Sequence, residues 1–177
     1  DDNIGLRCLA MAALRHLSLS DELKRRIVDV GALIPILRCS NSLNEDLLMQ
    51  CAGTLANLSE NMENQISIVE EGSVTSLIYL GQQENDEIQQ DVARALANLT
   101  ANEENHVAVF EEGGLNCLID LTNSSDEVCQ RYAAMGLRFL SSNSMVRVEI
   151  VRQGLLQPFL HLAQSPILDF QRTAAAA

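Results

Sequence analysis

Tryptophan is absent from this sequence, and its 177 residues hold only two tyrosines, four phenylalanines and three prolines. Strands draw on aromatic and β-branched side chains, so the shortage speaks against a β-sandwich or barrel. The many Leu, Ala, Ile and Val residues point instead to helices packed on helices. Long uncharged runs are missing too, which leaves no candidate for a membrane-spanning helix in the residues present. Positive charge is scarce: 12 Lys and Arg stand against 24 Asp and Glu, a formal net charge of −12. Nucleic-acid phosphates would find no basic footprint here, and an anionic membrane surface no attraction.

Cysteine is present five times (Cys8, Cys39, Cys51, Cys117, Cys129), an odd set without a CxxC pair. That reads as reduced thiols in a cytoplasmic protein, with a nuclear or cytoskeleton-associated location also open, rather than a disulfide framework. The glycosylation-type triplets Asn57-Leu58-Ser59, Asn98-Leu99-Thr100 and Asn123-Ser124-Ser125 go unused in that compartment. With 47% hydrophobic residues the chain has apolar matter for one domain's core and too much of it for disorder.

The organising feature is a repeat of 41 residues. Gly31, Gly72, Gly113 and Gly154 hold this spacing, as do Leu17, Leu58, Leu99 and Leu140, each followed by Ser or Thr. Ile27, Ile68, Val109 and Ile150 keep the same register without a gap, as do Leu55, Leu96 and Leu137. A fixed period of this length is the mark of a solenoid, in which no unit buries its apolar face alone and stacking makes the core continuous. Within a unit the pattern predicts three helices. Asn61 opens a short first helix that ends at Gly72, where a left-handed cap costs glycine nothing. A second helix carries Leu77, Ile78 and Leu80. After the polar break at 82–85 a third starts near Asp86 and Glu87, acids suited to a helix N-terminus. Its Ile88, Val92, Leu96 and Leu99 form one apolar stripe, and Ala93, Ala95 and Ala97 permit close neighbours.

Asn105-x-x-x-Val109-x-x-x-Gly113-Gly114-Leu115-x-x-Leu118-Ile119-x-Leu121, with Val92-Ala93-x-Ala95-Leu96-x-Asn98-Leu99-Thr100 in the unit before it, resembles the armadillo repeat. The resemblance covers the whole chain and implies an all-α, right-handed superhelical solenoid of about four three-helix repeats. A partial repeat is expected over residues 1–18 (third helix only), then repeats over 19–59, 60–100 and 101–141, and a partial repeat over 142–177. Both ends cut through a unit and residue 1 is not Met, so the chain is expected to be part of a longer chain or complex. Ala174–Ala177 are either genuine sequence or placeholders.

No catalytic arrangement emerges. His16, His106 and His161 fall in different repeat columns, and the chain has no HExxH, phosphate loop, GxGxxG or GxSxG. Glu70-Glu71 and Glu111-Glu112 read as solvated helix ends. No enzyme activity, cofactor or metal is expected. What the resemblance implies is protein binding: third helices line a concave groove, and an Asn near each helix end holds the backbone of an extended peptide. That column here is His16, Asn57, Asn98 and Phe139; four residues earlier it reads Ala12, Gly53, Arg94 and Met135, and seven earlier Leu9, Gln50, Asp91 and Tyr132. The expected groove residues are therefore Asn57, Asn98, Arg94, Gln50, Tyr132, Met135, Phe139 and His16. The missing Trp array speaks against an importin-alpha-type receptor for basic signals, and the few groove cations against a catenin-type one. A scaffold or adaptor for extended peptide segments is the leading expectation. The alternatives are a structural stretch of a longer solenoid in a cytoskeletal or axonemal assembly, and a regulatory region of a larger enzyme.

Overall fold

The computed structural model describes residues 3–164 and Gln171. The rest of the expected fifth unit's third helix and Ala174–Ala177 lie outside the described residues. Helix α1 spans Ile4–Leu17. Three helices follow, α2 (Asp21–Asp29), α3 (Leu33–Cys39) and α4 (Glu45–Ser59). A 3-10 turn at Met62–Asn64 leads into α5 (Gln65–Glu70), α6 (Ser73–Gly81) and α7 (Asp86–Thr100). A second at Glu103–Asn105 leads into α8 (His106–Glu111), α9 (Gly114–Leu121) and α10 (Glu127–Ser142). Helices α11 (Ser144–Arg152) and α12 (Leu156–Ala163) come last, and no strand occurs among the described residues.

Local chemistry sets these boundaries at the same place in each unit. Asn3, Asn44, Asn85 and Asp126 cap α1, α4, α7 and α10, each side-chain oxygen accepting from the backbone N–H three residues on. The first-helix turn closes on a glycine in left-handed geometry: φ is 79° at Gly31, 78° at Gly72, 93° at Gly113 and 72° at Gly154. A side chain there would meet its own backbone, so glycine is the residue this turn demands.

The long helices carry the architecture. Helix α4 packs between α1 and α7, and α7 between α4 and α10. Leu47, Ile88 and Cys129 share a column and are fully buried, as do Leu55, Leu96 and Leu137, and Leu58, Leu99 and Leu140. Each such leucine contributes about 1.5–3 kcal/mol by leaving water. In the same columns Leu6 is 64% and Leu17 49% exposed, because no unit packs on the outer flank of α1 among the described residues.

Polar ties join one unit to the next. Buried Asn64 donates from Nδ2 to the carbonyls of Lys24 (3.0 Å) and Leu58 (3.2 Å), and Asn105 one unit later donates to Gln65 (3.1 Å) and Leu99 (3.0 Å). Each amide thus satisfies two carbonyls of the unit before its own, one on that unit's first helix and one near the end of its third. Buried His106 works beside it, its Nε2 lying 2.7 Å from the carbonyl of Thr100 and placing the proton on that nitrogen.

Candidate functional site

The third helices α1, α4, α7 and α10 pack side by side in that order, and a hydrogen-bonded ladder sets the direction of Asn57 and Asn98. Ser18 and Ser59 turn their hydroxyls back to carbonyls of their own helices, Arg15 and Ala56. The hydroxyl oxygens are left to accept from the next unit: Asn57 Nδ2 donates to Ser18 (3.0 Å) and Asn98 Nδ2 to Ser59 (3.1 Å). The two amides therefore point the same way. Thr100 has the same hydroxyl, bonded to Leu96 and Ala97, but Phe139 stands in the next place and cannot donate, so the ladder stops there.

The two asparagines differ in what remains open. Asn57 is 3% exposed. Its Oδ1 accepts from Arg94 Nη2 at 3.0 Å, and its Nδ2 also reaches the Arg15 carbonyl at 3.4 Å. Both ends of that amide are used inside the protein. Asn98 is half-buried, with Nδ2 anchored on Ser59, and its Oδ1 has no partner among the described residues.

Arg94 does not reach outward either. One guanidinium nitrogen meets Glu60 at 2.7 Å, while the other is shared by Asn57 and Asp91, the latter at 2.8 Å. Asp91, 7% exposed, takes a second cation, Arg15 Nη2 at 3.1 Å, which also contacts Glu87 at 3.1 Å. Glu60 in turn holds Lys24 at 2.6 Å, and Lys24 holds Asp21 at 2.7 Å. Burial works against the Lys24 charge, yet its carboxylate partners raise its pKa overall, and Lys24 lowers that of Asp21. A continuous chain of alternating charge thus runs from α2 past the end of α4 to α7 and α1. Sequence reading placed Arg94 on this face but missed Asp91 and Glu60 as its partners and Arg15 as the second cation on Asp91. The available signal was the opposite sign of Asp91 and Arg94 three residues apart.

Beyond α7 the surface changes. Tyr132, Met135 and Phe139 are all half-buried on α10, and Tyr132 packs against the buried core. Exposed Arg138 lies over the Phe139 ring, 4.9 Å from its centroid. Gln50 is half-buried on α4, and His16 is exposed on α1 with Nδ1 2.8 Å from the Ala12 carbonyl. Three buried thiols are held in protonated form: burial first, then Asp120, pushes Cys117 up to about 12, and burial raises Cys129 to about 11 and pushes Cys51 up as well. Among the described residues no group of His, Cys, Asp and Glu could hold a metal ion, and no helix is long and apolar enough to cross a membrane.

A family model described as the Armadillo/beta-catenin-like repeat matches residues 20–60. Among solved structures, an engineered protein is 28% identical over 100% of this chain and 44% of its own, with a TM-score of 0.89. A computationally designed armadillo repeat protein for modular peptide recognition is 22% identical, covering 99% of this chain and 75% of its own at a TM-score of 0.87. A designed armadillo repeat protein in complex with the peptide (KR)4 is 20% identical over the same shares, with a TM-score of 0.86. No curated protein matches the sequence.

Proposed function

We propose that this all-α solenoid, which matches the armadillo repeat over residues 20–60 and shares the fold of designed armadillo repeat proteins, acts as a protein-binding scaffold holding an extended partner segment across the face of α7 and α10. The observation that carries this reading is the Asn98 amide: its nitrogen is fixed by Ser59 and its oxygen is open. An oriented, half-buried acceptor on a helix surface is suited to a backbone N–H of an extended chain, whatever that chain's side chains are. Tyr132, Met135 and Phe139, on the neighbouring α10, offer a seat for an apolar anchor, and Arg138 a charge for an acidic residue beside it. Two designed neighbours, one described as made for modular peptide recognition and the other solved with a peptide, support the reading at the level of fold. The Asn57 amide itself contributes to shape rather than to capture, because it is engaged on both ends.

The test is selection of peptide ligands from a random display library on the unaltered protein, followed by affinity measurement on variants. Asn98→Ala and Tyr132→Ala are expected to weaken the selected ligands about tenfold, while Glu104→Gln on the first-helix side leaves them unchanged. Ligands that bind all three variants equally would place capture elsewhere. The second reading, a structural stretch of a longer solenoid, draws on the outer flank of α1. Leu6 and Leu17 lie exposed there in columns that are sealed in later units, as a surface made for a further helical unit would be.

A further inference from the structure

Arg15 sits where a ligand side chain would. From α1 it lies across the surface of α4 and ends on Glu87 and Asp91 of α7, 72 and 76 residues further along the chain. The crossing as it stands uses Gly53: a Cβ at that position would fall 2.2 Å from Arg15 Nε and 2.4 Å from its Cζ, so with any other residue there the guanidinium would have to shift from where it lies.

Three repeat columns depart from their neighbours to make this arrangement. The column of Gly53 holds Ala12, Arg94 and Met135 in the other units; that of Asp91 holds Leu9, Gln50 and Tyr132; that of Glu87 holds Gly5, Asp46 and Val128. Only between α4 and α7 do a bare floor and two carboxylates one helical turn apart coincide. The result is a slot shaped for a planar cation, with one wall, Asp91, nearly buried and the other, Glu87, about half exposed.

The occupant's grip is poor. Arg15 uses a single nitrogen, Nη2, for both carboxylates at 3.1 Å, where a guanidinium makes its strongest pairs through two parallel N–H bonds. Its side chain is 25% exposed, so solvent reaches the pair and weakens it. We propose that the slot formed by Gly53, Glu87 and Asp91 is a guanidinium-recognition site occupied in cis by Arg15, and that an arginine-bearing extended segment of a partner competes with Arg15 for it. This rests on reading the third-helix face as the docking face, but on none of the residues around Asn98. Arg15 then sets a threshold: tethered beside its site, it excludes weak cations and yields to a ligand that also gains from contacts along the rest of the face.

The probe is an end-blocked Gly-Arg-Gly-Arg peptide, titrated by NMR while the Gly53 and Asp91 backbone amides are followed. Its counterpart has citrulline, which keeps the shape and lacks the charge. Arg15→Ala and Arg15→Gln are expected to bind the arginine peptide at least tenfold more tightly than the unaltered protein. The citrulline peptide should bind neither variant. Adding Gly53→Ala or Asp91→Asn to Arg15→Ala is expected to abolish the gain, by filling the floor or neutralising the wall, with far-UV circular dichroism confirming that each variant is folded. Equal affinity for the unaltered protein and both Arg15 variants would overturn the proposal, as would equal binding of the citrulline peptide. Asn98→Ala should leave these titrations unaltered, so failure of the slot and failure of the Asn98 reading are separate results.

Discussion

Asn57 and Asn98 have the same local sequence, Ala-Asn-Leu followed by a hydroxyl residue, and the same first bond to the preceding unit. What separates them lies 37 residues away: Arg94 closes on the oxygen of Asn57, and in the following unit Met135 takes the place of Arg94 and leaves the oxygen of Asn98 open. The column was readable from spacing. Which member of it is free was not, because that depends on the partner supplied by the next helix. Removing Asn57 therefore takes a partner from Arg94 as well as from buried Ser18, whereas removing Asn98 takes one from buried Ser59 alone. Asn57→Ala should lower the stability in urea by about 2–3 kcal/mol and Asn98→Ala by about 1 kcal/mol or less. Equal losses would mean that the Arg94 contact contributes nothing to the fold.

At the scale of helices, period and caps sufficed to place the elements. The 41-residue register located the glycine turns and the third helices because each depends on a local requirement: a left-handed φ, a capping side chain, an apolar stripe. The first helices were less readable. Their opening residues form 3-10 turns at 62–64 and 103–105, where Asn64 and Asn105 enter to tie adjacent units, a role that no periodicity of apolar residues announces. Burial followed the stack and not the column alone. Leu58→Ala should cost about 2–5 kcal/mol, as expected of a sealed core position. Leu17→Ala, in the same column but half exposed on α1, should cost less than about 1 kcal/mol. Thermal or urea melts of the two variants compare a stacked helix with an unstacked one, and a similar cost at both positions would show that α1 is covered in solution.

Across the whole molecule, charge divides the chain. Residues 39–130 hold 17 of the 24 acidic side chains and a single cation, Arg94. Arg15 enters that acidic region from outside and bonds two units ahead of its own. In a solenoid each unit ordinarily feels only its neighbours, so a disturbance on α7 should reach α1 only by first loosening α4. The Arg15 crossing provides a second route. Neutralising Asp91 removes one carboxylate from Arg15, a partly exposed pair for which about 0.5–1 kcal/mol is appropriate. Asp91→Asn should therefore speed amide hydrogen exchange over the last turn of α1 two- to fivefold, while the buried central turns of α4, held by Leu55 and Leu58, keep their protection. Arg15→Ala, which deletes the Glu87 contact as well, should produce at least as large a change in α1, and adding Asp91→Asn to it should add nothing there, since the Arg15–Asp91 contact is already gone. If α1 responds to Asp91→Asn only as far as α4 does, the crossing carries no coupling and the stack behaves as a chain of nearest neighbours.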